Sequence, residues 1–567
     1  MFELRKKLAG ISEGILKEKF GVSTTVHFDF ALDEGRGDLT TSVALQLAKK
    51  LRKKPQDVAE VIAQSLRAAA GVSKVQVAGS GYVNVTLDDA VLSQGLEAVE
   101  HACEPRQAGT GDAPIIIDFF GPNIAKPLGI QHILTAVIGQ AIINLYRHCG
   151  FSVIGWSYPG DWGTQFGKLA VAYQKWGSRK PVGKYTVDEL LALYVRFHRE
   201  AEKNVSLEDE ARKEFAKLEA GDPVLRAFRE EVVDVTQKAL SKLCERLHVK
   251  VDRETGESFY EDKMDPILRE GTTKKVFKKG EGGALIVEFP LETHLPPSLL
   301  KKSDGTTLYA TRDLAMVRYR LDSCHPRAIY YVVGVAQSLY LQQLFATCTL
   351  LGWDLPETEH TVFGHMRFED ASMSTRKGTS MKLEDVLDEG VRRATKVIEE
   401  HRASIQTDDA RALAEMMGVG ALVYGILNQN RKMDLVFDWD KCLSFEGNSA
   451  PYLQYTYARA RSVLRKADRE NVPLPAARGL SPKERLCLKI LLRFPETLAD
   501  ARDTRMPHKL TNYLFELCQA FNSFYNSEPI LQAEPALCAF RLGLTSLTAR
   551  VLKTGAELLT LRVSERM

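Results

Sequence analysis

Lys126 and His132 flank a break between an apolar run, Ile115-Ile116-Ile117-Asp118-Phe119-Phe120, and a segment whose apolar residues recur at helical spacing. A cation and an imidazole at a helix start suit an anion, because first-turn N–H groups lack intrahelical partners and the helix dipole favours negative charge there. Tyr309 and Asp313 are four residues apart, so on a helix they share a face. An aromatic ring beside a carboxylate can seat a guanidinium by stacking and ion pairing. An Asp near a helix start also serves as a cap or dipole partner, and spacing alone leaves both readings open. Ser372-Met373-Ser374-Thr375-Arg376-Lys377-Gly378 joins small and hydroxylated residues to two cations. Facing a cleft, such a loop can close over a triphosphate and neutralise developing charge; facing solvent it is a surface turn. Tyr452, Tyr455 and Tyr457 with Arg459 and Arg461 can stack on bases or form the core and surface of one helix. Lys49, Lys50, Arg52, Lys53 and Lys54 offer either phosphate contacts or a solvated helix end.

The elements that must position these groups follow from periodicity. Residues 115–120 read as a buried strand, broken by Gly121-Pro122-Asn123. Ile133, Val137, Ile138, Ala141, Ile142 and Leu145 mark a helix that Gly150 ends, and 151–156 is a second apolar run. Strand, turn, helix, strand is a βαβ unit and predicts a parallel sheet, whose ligands sit at the carboxyl ends of the strands. A second half of the same fold resumes near Lys301. It has a helix from Leu308 through Arg320, a strand over Ile329–Val333, a helix over Gln337–Leu351 and a short strand over His360–Gly364 leading to His365. Between the halves, about 180–290 is charged and helical, with hairpin signals over 272–289. Before them, residues 1–110 read as an α+β unit: a helix ending near Phe20, a strand-like stretch over 22–30, and a hairpin over Val75–Leu87 turning at Gly79-Ser80-Gly81. The expected organisation is three units, 1–110, 111–405 with the insertion, and 406–567, the last all-helical.

Composition narrows the class. The 567 residues are 44% hydrophobic and 26% charged, ordinary for a globular protein. No uninterrupted run of eighteen apolar residues occurs, so no membrane span is expected. The first twenty residues read as a charged amphipathic helix rather than a secretory signal. Nine cysteines without a C-x-x-C pair argue against structural zinc and a disulfide framework and for a reducing, cytoplasmic setting. Net charge is only +3, yet residues 451–567 carry 18 Lys and Arg against 11 Asp and Glu. That excess points to a polyanion or to a solvated helical surface.

Taken together, these stretches resemble arginyl-tRNA synthetases of class I. Pro122, Asn123, Lys126 and His132 match the first signature, and Gly160-Asp161-Trp162-Gly163-Thr164-Gln165-Phe166-Gly167 follows after the next strand. Asp304-Gly305-Thr306-Thr307-Leu308-Tyr309-Ala310-Thr311-Arg312-Asp313, then Gln337, are similar to the family's arginine-pocket motifs. The 372–378 loop resembles the class I KMSKS loop in a Met-Ser-Thr-Arg-Lys-Gly variant, with Ser372 in place of its first Lys. Gly37-Asp38, Ala44, Lys49-Lys50, Pro55 and Gly81-Tyr82-Val83-Asn84 resemble the family's N-terminal domain, and 447–461 resembles the entry to its anticodon-binding bundle.

The resemblance implies a multidomain α/β protein: a Rossmann-like class I core, an N-terminal α+β domain that packs on the tRNA elbow, and a C-terminal all-α anticodon-binding bundle. It implies ATP-dependent activation of L-arginine and transfer to the terminal ribose of tRNA(Arg), with activation dependent on bound tRNA. Lys126, His132, Arg376 and Lys377 would act on the phosphates. Pro122, Gly129, Gln131, His132, His365, Met373 and Ser374 would line ATP, with Mg²⁺ arriving on the nucleotide. Asn123, Tyr309, Asp313 and Gln337 would hold arginine. Lys49, Lys53, Tyr452, Tyr455 and Arg459 would contact tRNA. A monomer without zinc is expected.

The chain departs from the family pattern at Gly129, where a His is usual, at Gln131, where a Gly is usual, at Leu134, where an Arg is usual, and at Tyr340, where a His is frequent. The usual Gly lets adenine lie against the helix backbone, and a Gln there either blocks it or lies aside. The competing reading is a synthetase-like tRNA-binding protein with impaired or lost arginine activation. A third, a metabolic nucleotidyl transferase on the same fold, leaves the basic C-terminal helices without a purpose.

Overall fold

A computed structural model describes residues 1–31, 35–178, 180–303, 307–369, 381–402, 405, 407–476 and 479–567. The calls on Arg376, Lys377, Met373 and Ser374 therefore lie outside the described residues.

The central sheet has five strands, all parallel, in the order Glu357–His360, Ala328–Tyr331, Ile115–Asp118, Val153–Ser157, Arg253–Glu254. By chain position that is 5-4-1-2-3, a doubly wound order that reverses beside the first strand. Its first strand is buried on both faces, which is why Ile115-Ile116-Ile117 shows no polar alternation. Ile115 and Ile117 face the helix Gln131–His148, and the core there continues into the C-terminal helices. Ile116 faces the layer of Tyr309–Cys324 and Ser338–Leu350. Asp118 ends the strand in an ion pair with the wholly buried Arg320, at 2.6 Å.

Three local expectations are corrected. The third strand by chain position, Arg253–Glu254, lies inside the stretch read as a helical insertion; it is two exposed charged residues and has no apolar signal. The strand-like 22–30 forms only Asp29–Phe30, and the strand expected over His360–Gly364 instead ends at His360. The C-terminal section carries one short strand, Leu435–Phe437, paired in parallel with Met366–Phe368. A third strand, Ser298–Lys301, joins the hairpin of Phe277–Lys279 and Leu285–Val287.

The insertion helices Val187–Ala201, Ser206–Glu219 and Pro223–Leu247 share a core with Thr164–Trp176. In the N-terminal unit a four-stranded antiparallel sheet is covered by Val43–Leu51 and Pro55–Leu66. The first of these buries Val43, Ala44, Leu47 and Ala48, which leaves Lys49 and Lys53 on the exposed side. Helix Ala410–Leu427 is long and apolar enough to cross a membrane, yet 72% of it is buried inside the protein; it is a core helix.

Several polar contacts join the N-terminal unit to the C-terminal bundle, among them Arg5 with Glu496 and Lys489 with the Gly37 carbonyl, and one guanidinium makes three of them. Arg485, on Pro482–Leu492, donates to Asp38 at 2.7 and 2.6 Å and to Asp89 at 2.6 Å. The Asp38 side chain is wholly buried. Truncating one partner of such a pair strands a buried charge. Arg485→Ala is therefore expected to cost about 3–5 kcal/mol, read as a lower unfolding midpoint and faster proteolysis between the two units. Unchanged values would mean that the interface is held by its apolar contacts and its other polar links, such as Arg5–Glu496 and Lys489–Gly37.

Candidate active site

Two loops meet at the carboxyl ends of the first and second strands and are zipped together by backbone. Gly160 N–H donates to Pro122 O at 3.0 Å, and Ile124 N–H donates to Gly160 O at 3.2 Å. A Cβ on Gly160 would stand 2.7 Å from Asn123 Oδ1, so a side chain there would displace the Asn123 amide. Phe120, at φ 60°, turns the chain out of the strand and is fixed from both sides. Its N–H donates to Thr135 Oγ1 at 3.1 Å, and its carbonyl accepts from Ser157 Oγ at 2.8 Å. The insertion reaches back as well, with Ala125 N–H donating to Thr236 Oγ1 at 3.1 Å.

Helix Gln131–His148 begins at this junction, as the spacing predicts. The expected set of free first-turn amides is corrected. His132 N–H donates to Gly129 O at 3.0 Å and Ile133 N–H to Ile130 O at 3.1 Å, because the first turn tightens to i→i+3 bonding. His132 Nδ1 lies 3.0 Å from the Gly129 amide nitrogen and 3.2 Å from its carbonyl oxygen. Burial lowers the pKa of this imidazole. In the neutral ring Nδ1 accepts the Gly129 amide proton and Nε2 carries the ring proton, a donor for an anion. Lys126 Nζ lies over the Tyr194 ring, 5.0 Å from its centroid.

Across the junction lies a cup of carboxylates and phenols. Tyr309 and Asp313 both sit on helix Tyr309–Cys324, as their spacing predicts. The Tyr340 hydroxyl donates to Asp313 Oδ2, and the Tyr309 and Tyr340 rings meet edge to face at 4.9 Å. The buried Tyr158 hydroxyl lacks a well-formed hydrogen bond and interacts with the same carboxylate. Burial pushes the Asp313 carboxyl up to about 6, against the Tyr340 hydrogen bond and the nearby Tyr158 hydroxyl, which hold it down. Glu257, following the strand Arg253–Glu254, is pushed up to about 7, by burial first and then by the charges of Asp313 and Asp161, with Arg312 opposing. Its nearest cation is Arg312, at 3.9 Å. Two desolvated acids and an orphaned phenol form a seat for a cation with hydrogen-bond donors.

Glu257 and Tyr158 went unrecognised in the sequence. The one available signal was position, because Glu257 follows a strand of the parallel sheet, but that strand is two polar residues long. The Gly160–Gly167 motif serves largely to build this wall. Asp161 accepts from Ser258 N–H at 2.8 Å and Ser258 Oγ at 2.7 Å and pairs with Arg229, which holds the Glu257 turn in place. Gln337 is exposed on the turn before helix Ser338–Leu350. His365 is exposed, with its N–H donating to Asp434 Oδ1 at 2.8 Å. At residue 383 the chain is again at the junction: Leu383 N–H donates to Leu128 O at 2.8 Å. Far from this site, Arg459 lies over the rings of Tyr455 and Tyr525 at 4.8 and 4.9 Å and donates to Asn522 at 2.7 Å, while Tyr452 packs on Phe515. A Cβ on Gly160 would lie between Asn123 and Glu257, and Glu257 feels the charge of Asp313, around which Tyr158, Tyr309 and Tyr340 stand. The five residues assigned to tRNA lie on the outer two units.

The acid limb of the reaction follows from the two raised carboxyls. Each must be ionised to bind a cation, so kcat/KM for that substrate is expected to rise with pH through about 6–7 and then level. Tyr340→Phe removes a hydrogen bond that holds Asp313 down and is expected to move the limb to higher pH. A profile of kcat/KM against pH that is flat below 7 would contradict this.

A parallel sheet wound in this order, with its cleft at the strand carboxyl ends, is the class I aminoacyl-tRNA synthetase catalytic fold. The whole chain superposes on Thermus thermophilus arginyl-tRNA synthetase with a TM-score of 0.80 over 100% of both chains at 24% identity, and on the Plasmodium falciparum enzyme with 0.79 over 100% and 99% at 21% identity. The catalytic domain of class I (R) tRNA synthetases matches residues 97–439, the DALR anticodon binding domain 453–567, and the arginyl tRNA synthetase N terminal domain 4–87. An arginine–tRNA ligase of Fusobacterium nucleatum is 36% identical over 96% of this chain and 95% of its own, and one of Alkaliphilus metalliredigens is 38% identical over 92% of each. The chain belongs to the arginyl-tRNA synthetases.

Proposed function

We propose that this protein is an arginine–tRNA ligase whose two substrate seats are the carboxylate cup and the adjoining helix start. The cup carries the reading: Asp313 and Glu257 are desolvated acids without a full cationic partner. A guanidinium offers five donors in a planar fork, and it remains charged at any working pH. In this reading Asp313 pairs with the guanidinium, Tyr309 covers it and Tyr158 gives its orphaned hydroxyl to the substrate. Asn123, Glu257 and Gln337 orient the amino-acid end.

One arginine carboxylate oxygen then attacks the α-phosphorus of ATP. The new P–O bond forms as the bond to pyrophosphate breaks, giving arginyl-adenylate. The 2′-OH of the tRNA terminal ribose next attacks the carbonyl carbon, and AMP leaves. No protein nucleophile is required, and the rate gain comes from positioning and from charge stabilisation. His132 Nε2–H and Lys126 serve the phosphates, the latter on leaving Tyr194. Arg376 and Lys377 close over them, and Pro122, Gly129, Gln131, His365, Met373 and Ser374 line the nucleotide. Mg²⁺ would arrive on the triphosphate, where it neutralises charge. Lys49, Lys53, Tyr452, Tyr455 and Arg459 contact tRNA(Arg), and the protein works as a cytoplasmic monomer.

Tight tRNA binding without arginine activation is the alternative that Gly129 and Gln131 raise. The intact cup weighs against it. Charging of labelled arginine onto tRNA, with Asp313→Ala as control, tests the proposal. Charging abolished by the substitution supports it. Absence of charging by the unaltered protein, with tRNA still bound, would replace it by the alternative.

A further inference from the structure

Gly129 and Gln131 are two departures from the family pattern, and the structure brings them together. A Cβ built on Gly129 would stand 2.5 Å from Gln131 Oε1, 3.0 Å from Nε2 and 3.1 Å from the amide carbon. The carboxamide therefore lies back over position 129, in the space that a side chain there would enter. It lies beside the helix start, with Gln131 itself exposed. Gly129 has no left-handed φ, and nothing but this flexible amide approaches it within 3.1 Å. A side chain at 129 would have to displace this amide.

The donors at this helix start are few. The amides of His132 and Ile133 are spent on the carbonyls of Gly129 and Ile130, and that of Gly129 on His132. Lys126 is turned onto Tyr194. The His132 Nε2–H is one side-chain donor, and the two protons of the Gln131 amide are the others.

We propose that the Gln131 carboxamide is a phosphate ligand of bound ATP, supplying the donor that the missing side chain at 129 would have given, and that Gly129 is bare to leave it that position. This rests on the reading of the helix start as the triphosphate site. The two positions then form one functional unit, exchanged together rather than eroded one at a time.

The test is a double-substitution cycle, Gly129→Ala, Gln131→Ala and both, read by tRNA-dependent ATP–pyrophosphate exchange. A lost hydrogen bond to a charged group is worth about 1.5–3 kcal/mol. Gln131→Ala is thus expected to lower kcat/KM for ATP about 10- to 100-fold, with KM for arginine and the unfolding midpoint unmoved. Gly129→Ala adds only a methyl group that displaces the amide, so it is expected to cause a similar loss. The double variant is expected to be no worse than Gln131→Ala alone. Gly129→His with Gln131→Gly is expected to recover most of the activity. An unaltered Gln131→Ala, or losses that multiply in the double variant, would overturn the inference. Stabilisation by ATP alone, read as the shift in unfolding midpoint, separates this from the activity itself. If the unaltered protein fails to activate arginine, a shift that Gln131→Ala abolishes still supports the ligand role, and no shift in the unaltered protein overturns it.

Discussion

Asparagine in place of Asp313 is expected to lower kcat/KM for arginine by about 10²–10³-fold, because removing one member of a buried, hydrogen-bonded charge pair costs about 2–5 kcal/mol. The substitution keeps the shape and an acceptor for Tyr340 and removes the charge alone. Asp313 stands on the helix Tyr309–Cys324 with its carboxyl raised to about 6 by burial. A guanidinium would return the stabilisation that burial withholds. The loss should appear mainly in KM, with tRNA affinity and the unfolding midpoint near those of the unaltered protein. The acid limb should then retain only the Glu257 step near 7. Arginine activation within tenfold of the unaltered enzyme would show that the guanidinium is held elsewhere.

Arg320→Met is expected to be the most destabilising single change in the catalytic unit, at about 3–5 kcal/mol. The Arg320 side chain is wholly buried and pairs with Asp118 at 2.6 Å. Its guanidinium lies 4.9 Å from the Trp156 ring and 5.9 Å from that of Tyr331. Methionine fills most of the volume but leaves the Asp118 carboxylate buried without its cation. The effect should reach the cup, because Arg320 lowers and Asp118 raises the Asp313 pKa. Without Arg320 the acid limb should move to higher pH. Adding Asp118→Asn removes the stranded charge, and most of the stability should return. Thermal unfolding of the three variants decides this. A double variant as unstable as Arg320→Met would mean that packing on Trp156, and not the ion pair, sets the cost.

The sequence alone determined what local order can encode. Ile115-Ile116-Ile117 had to be a strand buried on both faces, and the apolar repeat from Ile133 to Leu145 had to be a helix; both are correct because strand and helix periodicity are properties of neighbouring residues. A spacing of four positions from Tyr309 to Asp313 was enough to put them on one helical face. The motif order identified the family before any contact was known. Tertiary structure alone decided which groups are desolvated and which donors are spent. Glu257 becomes a weak acid because Asp313, Asp161 and the walls around it come from distant parts of the chain, and its strand of two charged residues left no pattern to read. The first-turn amides expected to be free are consumed by an i→i+3 turn. Gln131, which in the sequence either blocks adenine or lies aside, has its carboxamide beside the empty face of Gly129. Asp38 and Arg485, 447 residues apart, carry no mutual signal until the two outer units meet. Periodicity is local and survives in a linear reading, whereas burial and hydrogen-bond partnership depend on what else arrives at the same place.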